Sequence, residues 1–144
     1  MATVELRFSA LPEHVRTARL VAAAVARRAG VDEAVLDEVR LAVGEACTRA
    51  VGLHVMNGLN APVRVVLTEE EKKFSIAVGD EAPTAAGQRS GSHPDVDEEA
   101  AADEEDEMGL AVISGLVDDV EVTTSDTGGL IRMSWPTSPP PVLP

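Results

Sequence analysis

The chain has 144 residues, 44% of them hydrophobic, which is the usual size of one domain with enough apolar material for a core. Its formal net charge of −13 argues against direct binding of nucleic acid, because a phosphate backbone needs a basic face. No apolar run approaches the roughly 20 residues of a membrane span, and the N-terminus lacks a signal-peptide pattern, so we expect a cytoplasmic protein without membrane contact.

The first element is predicted to be a strand, followed by a helix. Apolar and polar residues alternate over Thr3–Phe8, which is typical of a half-buried strand. Ser9 and Pro12 then indicate a turn and the entry to a helix of about residues 13–29. Gly30 fits the position just after the end of that helix.

A second helix is the clearest element of the sequence. Asp32 is a suitable N-cap, and Asn57 and Gly58 end the pattern after about Met56. The apolar residues recur in steps of three and four and so trace one face of a helix: Leu36, Val39, Val43, Ala46, Ala50 and Leu53. Cys47, the only cysteine, falls within this apolar pattern, and we expect a buried, inert thiol.

The second half of the sequence contains the patterns of two hairpins, which are separated by a long loop and a short helix. The predicted strands are residues 63–67, 74–78, 120–124 and 130–135, with a loop at 79–107 and a helix at 108–117. Nine of the thirteen residues from Asp95 to Glu107 are acidic. This stretch is either a solvated linker or a negatively charged segment that attracts a basic partner surface. The three histidines are dispersed, and no metal-ligand cluster is predicted.

This order of elements predicts an α+β fold. Its helices would cover one face of a mixed, largely antiparallel sheet. We assign residues 1–136 to one domain, in which residues 79–107 form an acidic, lid-like, flexible loop. The proline-rich residues 137–144 are assigned to an extended tail.

Two segments carry a resemblance to a known family. Residues 37–51 read DEVRLAVGEACTRAV, and residues 108–120 read MGLAVISGLVDDV. Together with the order of elements, they resemble the GHKL ATPase (Bergerat) fold, and within it the anti-sigma-factor serine kinases of bacterial partner-switching systems. The resemblance covers about residues 3–135. It implies a two-layer sandwich, ATP and magnesium as cofactors, and a homodimer that binds sigma factors and anti-anti-sigma (STAS-type) proteins.

The resemblance assigns roles to two positions on the second helix. In the family a glutamate acts there as general base on a partner's serine, and an asparagine four residues later holds magnesium on the same helical face. Glu45 matches the glutamate, but Arg49 replaces the asparagine. Because a guanidinium has only donors and a positive charge, Arg49 cannot coordinate magnesium. We expect Arg49 to pair with Glu45, to contact a partner, or to contact phosphate in place of the metal.

Three further departures fall on the family's nucleotide motifs. Asp80 matches the aspartate that accepts the adenine amino group, but Ala82 stands in place of a glycine. Gly109 matches a glycine at the start of the third helix, where the resemblance implies phosphate binding. The family glycine preceding Gly109 is replaced by Glu107, whose charge opposes phosphate. Leu130 stands in place of a threonine whose hydroxyl faces the nucleotide.

These departures favour a protein-binding function over catalysis. We expect an anti-sigma-factor-like regulator with weak or absent ATP binding and kinase activity, and with no cofactor. The alternative is an active ATP-dependent protein-serine kinase that uses Glu45 as its base, ATP with magnesium as its cofactor, and Asp80, Gly109 and Arg49 for nucleotide binding. A scaffold unrelated to transcription is a third hypothesis.

Overall fold

The computed structural model describes residues 2–83, 110–117 and 119–137. Its elements are β1 (Ala2–Phe8), α1 (Pro12–Ala29), a one-turn 3-10 helix (Glu33–Val35), α2 (Leu36–Met56), β2 (Val63–Glu70), β3 (Lys73–Asp80), α3 (helical residues 110–116), β4 (Asp119–Ser125) and β5 (Gly128–Pro136). The predicted α+β order is confirmed. None of these helices is long and apolar enough to cross a membrane.

The five strands of the described residues form one sheet in the order β1-β2-β3-β5-β4. Every neighbouring pair is antiparallel, so this sheet contains no parallel pair of the kind that a mixed sheet would have. The alternating side chains of β3 and β5 form the centre of the core, where Phe74 pairs with Trp135, Ile76 with Met133, and Val78 with Ile131. All six are buried. Asp80 continues the same face of β3 by one more step.

The helices cover this apolar face of the sheet, with α1 packed against α2. Five of the six residues of the predicted apolar stripe of α2 are buried, whereas Leu53 is only half-buried and the buried face continues at His54 instead. The most enclosed residues of this face include Val39, Val43, Ala46 and Cys47. Small residues of α1 (Ala18, Ala22 and Ala26) are also almost fully buried. Burial raises the pKa of the Cys47 thiol to about 12, because an apolar surrounding disfavours the thiolate.

The turns differ from the predicted ones in two places. Asp32 does not cap a continuous helix; it caps the 3-10 turn, where its Oδ1 accepts a hydrogen bond from the Ala34 N–H at 3.0 Å, and α2 begins after that turn. The β2–β3 hairpin is longer than predicted and turns over Glu71 and Lys72. Lys72 adopts a φ of 66°, which a sequence pattern of charged residues does not reveal.

Candidate functional site

Asp80 lies at the end of β3, on the sheet face that the helices cover. Its side chain is only 4% exposed. Its Oδ1 atom accepts hydrogen bonds from the N–H of Ala82 at 2.9 Å and from the N–H of Gly129 at 3.3 Å. A buried carboxylate needs such partners, because desolvation of an unpaired charge is costly. The carboxylate therefore holds the chain after β3 and the start of β5 together.

Arg49 supplies the positive charge next to this carboxylate. It extends from α2, and its Nη1 atom lies 3.9 Å from the Oδ2 atom of Asp80. The Arg49 side chain is 12% exposed, so water screens this pair much less than it screens a surface pair. The distance is longer than a hydrogen bond, and the interaction is therefore coulombic. This contact was not among the partners that the sequence predicted for Arg49.

The turn between β4 and β5 comes very close to Asp80. Gly129 pairs with Asp80 across the two strands, and a Cβ atom at Gly129 would lie 2.9 Å from Oδ2 of Asp80. Gly128 has a φ of 152°, and a Cβ atom there would lie 2.1 Å from the backbone oxygen of Asp80. Neither position has room for a side chain. The two glycines allow the hairpin to close over the carboxylate.

His54 connects the end of α2 to the residue after Asp80. The ring is fully buried; its Nε2 atom accepts a hydrogen bond from the N–H of Glu81 at 2.9 Å. Its Nδ1 atom lies 2.9 Å from the carbonyl oxygen of Ala61. Because a carbonyl only accepts, Nδ1 carries the proton and the ring is the neutral Nδ1–H tautomer. His54 thereby fixes the backbone that leads from Asp80 to Ala82.

His54 was not predicted from the sequence to be part of this site. A signal was present, since His54 lies four residues after Ala50 and so continues the buried face of α2. A polar side chain on a buried helical face must find hydrogen-bond partners, and those partners are backbone groups distant in sequence. Their identity depends on the tertiary fold.

The other predicted site residues are distributed around this cluster. Glu45 lies one turn before Arg49 on α2 and is half-buried. Ala82 is 4% exposed, so the position of the family's glycine is enclosed. Leu130 faces away from Asp80: it pairs with Gly79, and its Cδ1 lies 3.6 Å from where a Gly79 Cβ would be. Leu130 and Asp80 lie on opposite faces of the sheet, because Leu130 follows Gly129 by one residue and successive residues of a strand point to opposite faces.

Some predicted features lie outside the described residues. Gly109, Glu107 and the acidic stretch from Asp95 to Glu107 are among them. Within residues 2–83, 110–117 and 119–137, no group of three or more His, Cys, Asp or Glu side chains is arranged to hold a metal ion.

The described residues fit an adenine nucleotide poorly. The carboxylate expected to accept an adenine amino group is already engaged by two backbone N–H groups and lies beside a guanidinium. Arg49, at the position where the resemblance implies a metal ligand, offers donors only. A magnesium ion needs oxygen ligands, and Arg49 supplies only N–H groups and a positive charge.

Comparisons with known proteins agree with this architecture. The model of the histidine kinase-like ATPase domain matches residues 8–135. The serine-protein kinase RsbW of Oceanobacillus iheyensis is 29% identical over 136 residues, which cover 91% of this chain and 84% of that protein. A crystal structure of the RsbU and RsbW domains of Rv1364c from Mycobacterium tuberculosis superimposes with a TM-score of 0.69 at 15% identity. This match covers 97% of the chain but only 34% of the solved one, and it shows a shared fold.

Proposed function

The chain belongs to the histidine kinase-like ATPase domain family, and from that premise we propose that it acts as an anti-sigma-factor-like regulator with weak or absent ATP binding and kinase activity. Its relative in Oceanobacillus iheyensis carries the name of a serine-protein kinase, RsbW. We therefore propose that the chain binds protein partners as such a regulator would, and that it transfers phosphate weakly or not at all.

One observation carries this proposal: the buried contact between Arg49 and Asp80. The Nη1–Oδ2 distance is 3.9 Å, and Oδ1 of Asp80 accepts two backbone hydrogen bonds. An adenine amino group that donates to the other oxygen, Oδ2, would lie close to the positively charged Arg49 guanidinium, and this charge disfavours a second donor there.

The proposed partners are proteins. A sigma factor and an anti-anti-sigma protein of the STAS type are the classes that the family resemblance implies, and the regulator would act in the cytoplasm as a homodimer. Glu45 has a partly exposed side chain on α2 and can contact such a partner, whereas the Arg49 side chain is 12% exposed and would contact it only at its edge. No cofactor is required for this function.

An active ATP-dependent protein-serine kinase is the second candidate. The half-buried Glu45, one helical turn from Arg49, favours it, because a general base must reach the hydroxyl group that it deprotonates. In that case Asp80, Gly109 and Arg49 would contact the nucleotide, and Arg49 would replace part of the charge of a metal ion.

An interaction screen with a phosphotransfer control separates the two candidates. Each sigma factor and STAS protein encoded in the same genome is purified and tested for binding by biolayer interferometry, with and without Mg-ATP. The proposal predicts a complex that needs no ATP, transfers no radiolabelled phosphate, and is weakened by Arg49→Ala. If phosphate is transferred and Glu45→Ala abolishes the transfer, the chain is an active kinase and the second candidate holds. If the chain forms a complex with no sigma factor and with no STAS protein, the proposal is overturned.

A further inference from the structure

The strand β4 is one of the two outer strands of the sheet. It pairs with β5 along one side, from Asp119 opposite Ser134 to Ser125 opposite Gly128. Among the described residues, no strand pairs with its other side, which we call the free edge of β4. The strand contains no proline and no lysine, which are residues that commonly block such an edge. Its backbone N–H and C=O groups can therefore bind a further strand.

The first four side chains of β4 form an acidic pair and an apolar pair. Val120 and Val122 lie on the face that the helices cover, where they pair with core residues of β5, and Val122 is still 45% exposed. Asp119 and Glu121 alternate with them on the opposite face, and both are exposed. A strand that binds to the free edge therefore meets carboxylates on one face and valines on the other.

The carboxylate of Glu121 does not pair with the positive charge next to it in the sheet. Glu121 lies opposite Arg132 in the register of β4 and β5. The Nη2 atom of Arg132, however, lies 3.5 Å from Oε2 of Glu70, towards the interior of the sheet. Among the described residues, neither Glu121 nor Asp119 forms an ion pair. The free edge therefore carries two negative charges that a positively charged partner can contact.

A polar cleft beside β4 gives room for a long side chain next to these charges. It has a volume of about 310 Å³ and is lined by Lys73, Asp119, Glu121, Arg132 and Ser134. The two carboxylates belong to the outer strand, whereas Lys73 and Arg132 belong to the inner strands β3 and β5. A lysine or arginine that enters from the free edge meets the carboxylates first, and the inner positive charges oppose deeper entry.

The charges of the chain itself do not match this edge. The strand β4 carries two acidic residues and no basic residue, so two copies of it would bring like charges together. Outside the described residues, the sequence of 84–109 has Arg89 as its only arginine or lysine, and the sequence of 138–144 has none. The charges therefore favour a basic strand from another protein.

We propose that the free edge of β4 binds an extended segment of a partner protein in which basic and apolar residues alternate. The basic side chains lie opposite Asp119 and Glu121, and the apolar side chains lie opposite Val120 and Val122. In this mode of binding, main-chain hydrogen bonds give affinity and the alternate side chains give specificity. The same alternation suits a parallel and an antiparallel partner, because every second residue of a strand faces the same side.

Fluorescence anisotropy with short labelled peptides tests the proposal. The first peptide alternates lysine and valine, the second has the same composition with all lysines before all valines, and the third has glutamate in place of lysine. The alternating peptide should bind at least about tenfold more tightly than the other two, because only its lysines face the carboxylates while its valines face the other side. Equal binding of the first two peptides, or no binding of the alternating one, would overturn the proposal.

Charge reversal in the protein locates the binding site. Asp119→Lys and Glu121→Lys should each weaken binding of the alternating peptide about fivefold, because an attraction between opposite strands becomes a repulsion. The doubly reversed variant should instead prefer the glutamate peptide. Glu5→Lys is the matched control, since it changes the net charge equally on the outer strand β1, and it should leave the affinity unchanged. An equal loss in all three single variants would overturn the proposal, because only the net charge would then matter.

Hydrogen exchange of the wild-type chain tests the pairing without any substitution. The alternating peptide should increase the protection of backbone amides in β4 and leave those of β1 unchanged, because only a strand paired with β4 covers the former. Protection of β1 in place of β4, or of neither strand, would overturn the proposal. The inference does not depend on the proposed function, and neither sigma factors nor STAS proteins enter this measurement, so each proposal can fail separately.

Discussion

Arg49 reaches from the middle of α2 to the end of β3, where its Nη1 atom lies 3.9 Å from Oδ2 of Asp80. The contact joins two residues that the sequence motifs assign to different parts of a nucleotide site, the metal and the adenine base. In this chain they are partners of each other. A charge pair with exposures of 12% and 4% costs desolvation energy, and the backbone hydrogen bonds to Asp80 offset part of that cost.

Replacement of Asp80 should therefore lower stability. In Asp80→Ala, the N–H groups of Ala82 and Gly129 lose their acceptor and Arg49 loses its charge partner, and we expect a loss of about 2–4 kcal/mol in the free energy of unfolding. Asp80→Asn is the matched control: its amide oxygen still accepts both hydrogen bonds although Arg49 loses its charge partner, and it should lose less than Asp80→Ala, about 1–2 kcal/mol. Urea denaturation measures both values. Equal stability of wild type and Asp80→Ala would mean that the carboxylate has no structural role.

The glycines of the β4–β5 turn provide a steric prediction. Gly128→Ala would put a Cβ atom 2.1 Å from the backbone oxygen of Asp80 at a φ of 152°, and we expect a loss of about 3 kcal/mol or more. Gly52→Ala is the control: it lies within α2 with no atom within 4 Å of its added Cβ, and it should gain about 0.5–1 kcal/mol. Thermal unfolding of the two variants should shift in opposite directions.

His54 should contribute through hydrogen bonds that no apolar residue can replace. In His54→Leu the Glu81 N–H and the Ala61 carbonyl lose their partners in a buried place, and we expect a loss of about 2–4 kcal/mol. Hydrogen exchange at the Glu81 amide gives the specific readout, because its protection should fall more than that of amides in β1. Unchanged protection of Glu81 would contradict the hydrogen bond.

Glu70 gives a prediction of pH dependence. The Ser75 hydroxyl donates a hydrogen bond to its Oε2 at 2.6 Å, and this bond, with the nearby charges of Lys73 and Arg132, lowers the pKa of Glu70 from 4.5. A lowered pKa means that Glu70 stabilises the fold above its unfolded pKa, and that this contribution is lost as the pH falls through the folded pKa. Ser75→Ala should raise the pKa of Glu70 towards its usual value, as followed by NMR titration of the carboxyl carbon. A pKa that does not move would exclude the Ser75 bond as the main cause.

Patterns within one element were readable from the sequence. The steps of three and four along α2 and the alternation along β1 reflect the periods of a helix and a strand, and both elements are confirmed. The positive φ of Lys72 was not readable, because a run of charged residues does not specify which one takes the left-handed conformation.

Individual residues of the candidate site could be predicted from the sequence, but the contacts between them could not. Asp80 and Arg49 could each be singled out by resemblance, but their mutual contact depends on how α2 packs against β3. The strand pairing also decides which residue faces Asp80. The register places Gly129 there and turns Leu130 to the other face, and a register depends on pairing between strands that are distant in the sequence.

Titration calorimetry with Mg-ADP tests the central claim, that Asp80 is occupied by its own chain through Arg49 and the backbone of Ala82 and Gly129. With the wild-type protein the account predicts no measurable heat of binding. A dissociation constant in the low micromolar range, lost in Asp80→Asn, would show that the carboxylate still serves adenine and would contradict the account.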